Sequence, residues 1–507
     1  MFILEKIDSY LNFLTMYRLV LYVLIILSVI AIIFGIAGFL PYTGVQFLET
    51  LAIVLAACFT GNKIFARILR VNTNIESVWI TAFILFLVLA PTAGRSDLIV
   101  TAMVATVAMG SKYFLTYERK HIFNPAAIGL FLAGLFGFGN SIWWIGSSIM
   151  LPFVLVAGLL VVRKIRRFRL LFTFIITAIL STSLFNLKNG VDLPDSILQV
   201  FTSWPLIFFG TIMLTEPFTT PPNKKYRAIY GIFVGILFGF QFSIGPLYAS
   251  PEFALISGNI LSFILSPKGK LILKFKERKQ LEPNIYEFIF NSESKFDFLP
   301  GQYLEWTLPH KNSDTRGIRR YFTIASAPEE GDLKLGVKII SDKSSSFKKA
   351  LLSLRPGDSL TADQLSGDFV MSDNPGEKLV FIAGGIGVTP FRSMVKHLIN
   401  KGERRDTVLF YSSADPKEFA YKEIFKKGED LGIKTVYVLG GKEEPPENWM
   451  GETGYLTDAM IKKYVPDFKE RKFYLSGPIA MVNNYKKLLS SAGISNSKIV
   501  TDYFPGY

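Results

Sequence analysis

The 507-residue chain contains one cysteine, Cys58, and three histidines, His121, His310 and His397. A single cysteine cannot close an intrachain disulfide or supply the thiolates of an iron-sulfur cluster. Two of the histidines fall in the charged second half of the chain, so the paired axial ligands of a transmembrane haem are also lacking. The N-terminus has no basic run leading into a small-residue cleavage site. It opens on a mixed-charge stretch with Glu5, Lys6 and Asp8, so the first apolar segment is expected to stay in the mature protein. Residue spacing suggests no metal site.

What is present is unevenly divided. Half of the residues are hydrophobic, 50% by composition. Runs of about 18 or more mostly apolar residues, long enough to cross a ~30 Å hydrocarbon layer at 1.5 Å per residue, recur only as far as Pro267. From Lys268 onward the pattern changes to short alternating runs with Gly and Pro punctuation and many charges, as in a soluble α/β or α+β unit. The net charge of +14 does not require a nucleic-acid partner, because much of the basic surplus sits in short loops between apolar spans.

The pattern predicts a polytopic bundle of ten helices over 17–40, 45–62, 75–93, 97–115, 124–139, 142–162, 169–184, 197–215, 228–244 and 251–265. With the N-terminus inside, the inner loops carry Lys63, Arg67 and Arg70; Lys112, Arg119 and Lys120; Arg163 to Arg169; and Lys224, Lys225 and Arg227. That distribution puts both termini on the cytoplasmic side of the cell membrane. Ten helices divide into two sets of five, which suits an inverted repeat. Leu89-Ala90-Pro91-Thr92 and Leu214-Thr215-Glu216-Pro217 interrupt corresponding spans, although proline ending two unrelated helices explains them equally well.

Residues 268–373 read as a small antiparallel β-barrel, with strands predicted at 271–276, 286–290, 303–308 and 333–339. This region contains Pro300-Gly301-Gln302-Tyr303 and Arg320-Tyr321-Phe322-Thr323-Ile324-Ala325-Ser326. A guanidinium fork suits phosphate and an aromatic face suits a planar ring. Ser344-Ser345-Ser346-Phe347 leads into a helix predicted at 348–354, and Pro356-Gly357-Asp358 ends it. Residues 374–507 read as a parallel α/β nucleotide-binding domain. A strand at 379–383 runs into Gly384-Gly385-Ile386-Gly387-Val388-Thr389-Pro390 and a helix at 391–399. Strands at 407–411 and 472–475 follow, the latter leading to Ser476-Gly477-Pro478 and Met481.

In this order the segments resemble the ferredoxin-NADP reductase family as far as the C-terminus. The resemblance implies bound FAD, with NADH or NADPH as the hydride donor. Arg320 would pair with the flavin diphosphate, Phe322 would lie against the isoalloxazine, and Thr323 would hydrogen-bond it. Tyr303, Tyr321, Val337, Lys338, Ser345 and Ser346 would complete the flavin site. Gly384, Gly385, Gly387, Thr389, Pro390, Gly477, Pro478 and Met481 would hold the nicotinamide nucleotide. Thr323, Ser476 and Phe504 would align the reacting rings. Ser476 stands where the family often has cysteine, a change that hydride transfer between two cofactors should survive. The ending from Thr501 to Tyr507 resembles the aromatic tail that covers the flavin, with Phe504 as the stacking residue and Tyr503 or Tyr507 as alternatives. Ser412-Ser413-Ala414-Asp415 offers hydroxyls and an acid in place of Arg or Lys, which favours NADH over NADPH.

Three apolar segments resemble the D-type membrane protein of the Rnf complex and the B-type membrane protein of the sodium-pumping NADH:quinone reductase. They are Ile122-Phe123-Asn124-Pro125-Ala126-Ala127, Met213-Leu214-Thr215-Glu216-Pro217, and the stretch from Tyr230-Gly231 through Tyr248, Glu252 and Asn259. The likeness implies flavin-based electron transfer, and ion coupling with it. That family attaches FMN to the threonine of an S/T-G-A-T sequence, which this chain lacks. A noncovalent FMN or riboflavin, a quinone, or an extracytoplasmic redox protein is then the expected acceptor. Glu76, Glu216 and Glu252 lie at span ends where they could move protons or cations, with solvation at the interface the plainer expectation for Glu252 and a structural role for His121.

The leading expectation is a membrane oxidoreductase taking hydride from NAD(P)H. A NADPH-oxidase-like flavocytochrome would need histidine pairs that are missing. From another class, an ion or flavin transporter with a redox-sensing reductase domain also accounts for the pattern.

Overall fold

The computed structural model describes residues 7–8, 10–11, 14–71, 75–91, 94–117, 120–138, 141–222, 224–266, 270–293, 296–314, 316–340, 344–440 and 445–504. The chain divides into two compact units, Met1–Gly269 and Lys270–Tyr507.

The first unit is helical, and helix starts follow local chemistry. Thr15 accepts from the Arg18 N–H, Thr43 and Gln46 form a capping box, and Asn124 and Ser250 cap helices whose first residue is proline. Each of the ten predicted segments contains helix. Among the described residues, four helices are individually long and apolar enough to span a bilayer: Met16–Ile36, Gly44–Leu69, Arg95–Phe114 and Phe168–Lys188. A fifth span is reached if Leu193–Thr202 and Leu206–Met213 are taken together, although they bend by 62°. That bend departs from the single helix expected at 197–215. Pro205 cannot continue the hydrogen-bond ladder, and a π turn at Phe209–Met213 follows. Ile75–Val88, Pro125–Leu135 and Pro251–Leu265 are shorter apolar helices.

Gly231, Gly235 and Gly239 recur every four residues on Lys224–Gly239 and let it lie against Phe168–Lys188. A Cβ at Gly231 would fall 3.0 Å from the Leu170 carbonyl oxygen, and one at Gly235 would fall 2.8 Å from that of Phe174. Small residues at this spacing permit close helix crossings inside a bilayer.

The second unit has two lobes. Six antiparallel strands form the first: β1 (Leu271–Glu282), β2 (Ile285–Ser292), β3 (Tyr303–Thr307), β4 (Arg319–Thr323), β5 (Leu333–Lys338) and β6 (Ser359–Ser366). Their order is β4-β3-β6-β1-β2-β5, and where a closed barrel was expected the described ladders form a sheet. The Ala325 N–H, just beyond β4, donates to Lys334 O on β5 at 2.8 Å and links the two ends. In β1, Leu271, Leu273 and Phe275 are buried and Lys274 and Lys276 exposed, the period-2 pattern of a half-buried strand.

The second lobe is a parallel sheet of β7 (Leu379–Gly384), β8 (Thr407–Ser413), β9 (Ile433–Leu439), β10 (Glu452–Thr453), β11 (Lys472–Pro478) and β12 (Ile499–Phe504), ordered β10-β9-β8-β7-β11-β12. Every residue of β7 is buried, as expected for a central parallel strand. The order reverses beside β7, between β8 and β11, and in open α/β sheets ligands bind at that switch point beyond the strands' carboxyl ends.

Candidate functional site

The switch point is built from the glycine turn after β7 and the Ser476-Gly477-Pro478 segment of β11, whose strands pair in register from Leu379↔Lys472 to Ala383↔Ser476. A Cβ on Gly387 would lie 2.6 Å from both Gly477 Cα and Ser476 O, so only glycine allows the two turns to touch. Gly385 sits at φ +52°, and Gly384 packs against the Met481 sulfur. The helix Thr389–Lys401 begins here with Pro390 in its first turn, and the Thr389 hydroxyl donates to Ile386 O at 3.2 Å. Ser476 is fully buried, and its Oγ has no partner among the described residues. The expected aromatic tail is in part a strand: β12 pairs with β11 as far as Phe504↔Pro478. The Tyr503 and Phe504 side chains, and Tyr507, lie outside the described residues.

On the antiparallel lobe, β4 alternates. Arg320 is buried, Tyr321 is exposed against Tyr303 at a ring distance of 5.7 Å, and Phe322 meets the Phe347 ring at 5.7 Å. Thr323, at the end of β4, is buried, and its Oγ1 also lacks a partner among the described residues. Arg320 Nη2 donates to Asp314 Oδ1 and Oδ2 at 2.8 and 3.1 Å. Its Nη1 contacts the carbonyls of Arg316, Gly317 and Arg319. The Ser346 N–H also donates to Asp314, and Ser345 caps the helix Ser346–Leu352. Lys348 sits nearby and donates to Lys338 O at 2.9 Å. Burial, then the Arg316, Arg320 and Lys338 charges, push its amine down to about 8. A buried amine crowded by cations favours a bound anion. Arg320 was legible from its motif, but Arg316 and Lys348 were not, because neither has a fixed place in a short pattern.

The lobes meet through the helix Thr389–Lys401. Arg392 donates to Ala325 O at 3.0 Å and pairs with Glu330, and Ser393 donates to Ser326 O at 2.6 Å. Glu287 lies 3.9 Å from Arg392, whose guanidinium sits over the Tyr421 ring. Burial alone would raise Glu330, but the bonds and charge of Arg392 outweigh it and hold the carboxyl near 2. Val337 is buried in the core, and Lys338 pairs with Glu418 of the second lobe.

Glu305 and Asp363 face one another across β3 and β6, both buried, with Arg319 Nη1 3.6 Å from Glu305 and Gln364 donating to it at 2.9 Å. Burial pushes the Glu305 carboxyl up to about 7, against the Arg319 charge and with that of Asp363. A raised folded-state value means this group's stabilisation is complete below the ordinary 4.5 and lost as pH rises through about 7. Thermal midpoints of the full chain should therefore match those of Glu305→Gln in acid and fall below them above neutrality. Parallel pH curves would contradict this.

The first unit has its own largely buried polar cluster, with Glu216 and His121 half-buried, uniting the three segments singled out in the sequence. Asn124 Nδ2 donates to Glu216 Oε2 at 2.7 Å, and the Asn124 N–H donates to Asn259 Oδ1 at 2.8 Å. Asn259 Nδ2 reaches Thr219 O and Tyr230 Oη, both at 3.4 Å. His121 Nε2 lies 3.8 Å from Glu216 Oε1, and Arg167 donates to Thr215 O and Thr220 Oγ1. Glu76 is paired with Arg18 at 2.8 Å. Glu252 corrects the expectation of an interfacial, solvated carboxylate. It is only 2% exposed and accepts from Trp143 Nε1 at 2.7 Å, because the first turn of Pro251–Leu265 packs inward.

Comparison with known proteins divides the chain in the same way. Residues 132–266 match the NQR2, RnfD, RnfE family, 271–370 the oxidoreductase FAD-binding domain and 381–487 the oxidoreductase NAD-binding domain. NADH-cytochrome b5 reductase 1 of Emericella nidulans is 30% identical over 250 residues, which cover 47% of this chain and 79% of that protein. The reductase component of the glycine betaine monooxygenase of Chromohalobacter salexigens is 29% identical over 216 residues, 41% of this chain and 57% of that one. The F component of the Na(+)-translocating NADH-quinone reductase of Idiomarina loihiensis is 30% identical over 205 residues, 37% and 49% of the two chains. The chain thus spans only about half the length of the last two relatives.

Proposed function

Because the chain belongs to the ferredoxin-reductase-type FAD- and NAD-binding oxidoreductases, joined to a membrane domain of the NQR2, RnfD, RnfE family, we propose that it oxidises NAD(P)H on the cytoplasmic side and passes the electrons into or across the cell membrane. The observation that carries this reading is that two buried hydroxyls without a partner among the described residues, Thr323 and Ser476, each lie near the carboxyl end of a strand. Unpaired buried donors are costly and point to a ligand.

FAD, when bound, supplies the ring that accepts hydride. The chain's part is to hold and align. Arg316, Arg320 and Lys348 carry the charge that suits a diphosphate, with Ser345 and Ser346 beside it. Phe322 and Thr323 on β4 would hold the ring, together with Tyr303 and Tyr321. The 384–390 turn, with Gly477, Pro478 and Met481, would hold the nicotinamide nucleotide, and Ser476 and Phe504 would align it. NADH is favoured because the end of β8 offers hydroxyls and Asp415.

This reading assigns 1–267 to the membrane with ten spans and both termini cytoplasmic, 268–373 to FAD and 374–507 to the nucleotide. Asn124, Glu216, Asn259 and Tyr230 form the candidate receiving site for a quinone or a noncovalent FMN or riboflavin, with an extracytoplasmic redox protein as the alternative acceptor. A second reading, an ion or flavin transporter with a redox-sensing reductase, draws on the same carboxylate at a broken helix.

The full chain purified in detergent separates these readings. Electron delivery predicts bound FAD and NADH-dependent quinone reduction. One flavin, no quinone reduction, and NADH-independent ion uptake in vesicles would favour the transporter. A fluorescent protein band after denaturation would contradict a noncovalent membrane flavin.

A further inference from the structure

We propose that Asp314 is an internal competitor for the cofactor diphosphate: its carboxylate occupies the cation cluster of the FAD lobe and gives way when FAD binds. The inference rests on the flavin reading above.

Several donors suited to a phosphate end on this side chain. Arg320 Nη2 donates to its two carboxylate oxygens, at 2.8 and 3.1 Å. The Arg316 N–H donates to Oδ1 at 2.9 Å, the Ser346 N–H donates to Oδ2 at 3.1 Å, and Arg316 Nη2 lies 3.5 Å from Oδ2. Arg320 Nη1 is directed at three backbone carbonyls. A bidentate guanidinium bond to phosphate through Nη2 therefore requires the carboxylate to move.

The local chain is arranged for such a move. Asp314 lies in the connection between β3 and β4, outside both ladders. Its carbonyl accepts from the Gly317 N–H at 2.9 Å, and Gly317 has φ +67°. His310 remains anchored at the base, with Nδ1 2.8 Å from Leu308 O and Nε2 3.0 Å from Ser346 Oγ. The side chain of Asp314 itself is about a quarter exposed, so it has somewhere to go. Burial would push its carboxyl up, but the Arg316 N–H and the Arg320 and Arg316 charges outweigh it and hold the group at about 2, so it competes as a full anion at any working pH. Lys348, beside the cluster, donates to Lys338 O at 2.9 Å.

The test compares the full chain in detergent with its Asp314→Asn variant. After both are stripped of flavin, FAD is titrated by fluorescence quenching and by rapid mixing. Loss of one charge-assisted competitor should lower the Kd for FAD by about tenfold. Wild-type association should level off at high FAD at the rate of carboxylate release, whereas the variant should stay linear. An unchanged or raised Kd in a variant whose FAD-loaded thermal midpoint matches wild type would overturn the proposal, and so would linear association in the wild type. If the wild-type chain takes up no FAD at all, the flavin reading fails instead.

Discussion

Replacing Gly387 with alanine is expected to cut NADH oxidation at least about a hundredfold while FAD stays bound, since a misplacement of about 1 Å at a reacting centre can cost that much. The added Cβ would lie 2.6 Å from Gly477 Cα, 2.6 Å from Ser476 O and 2.7 Å from Gly477 N. All three are backbone atoms, and parallel ladders on both sides fix the strands that carry them, so no side chain can swing away. The two turns must separate at the place where the nicotinamide is proposed to lie. Gly402, the C-cap of the helix Thr389–Lys401, is the internal control. It has φ +65° and open space around its Cβ position, so Gly402→Ala incurs only left-handed strain of about 1 kcal/mol. Ferricyanide reduction by NADH and flavin content should be measured for both. Equal losses would mean that the close approach of the turns does not matter.

The second large effect lies in the membrane unit. Changing Glu216 to glutamine should lower NADH-to-quinone turnover by about tenfold or more while NADH-to-ferricyanide turnover is unchanged, because each 1.36 kcal/mol is tenfold in rate and hydrogen bonds to a charged group contribute about 1.5–3 kcal/mol. Glu216 Oε2 accepts from both Asn124 Nδ2 at 2.7 Å and Thr219 Oγ1 at 3.3 Å. A glutamine can accept both bonds through its carbonyl oxygen, but it removes the charge that strengthens them and puts an amide nitrogen where Oε1 lies 3.8 Å from His121 Nε2, weakening the cluster where Asn124, Asn259 and Tyr230 converge. Equal losses with both acceptors would point to a folding defect. No loss with either would remove Glu216 from the electron path.

Parts of this architecture were readable from local pattern. A buried run into Gly384-Gly385-Ile386-Gly387 announces a strand, a tight turn and a helix, and β7 with Thr389–Lys401 follows that order. Asn124, Glu216 and Asn259 were marked by the segments that contain them, but their meeting was not, since 92 and 135 residues separate Asn124 from its two partners. The lobe junction was hidden for the same reason. Nothing near Arg392 in sequence indicates Glu330, 62 residues away. Glu305 sits in a strand whose neighbours Leu304 and Trp306 face the core, and only the β3–β6 pairing reveals that its own side is covered too. Glu252 was misjudged because a carboxylate in the first turn of an apolar helix ordinarily meets the interface, and the Trp143 indole that covers it lies 109 residues earlier. The broken helix at Pro205 escaped notice because the apolar run continues through it.

The central claim is that hydride from a nicotinamide nucleotide enters this chain at an FAD held between Thr323 and the β7–β11 switch point. Anaerobic addition of one equivalent of NADH to the purified, FAD-loaded chain tests it most directly. The account predicts stoichiometric bleaching of the flavin, with reoxidation when quinone is added. Flavin that stays oxidised while NADH persists would contradict it.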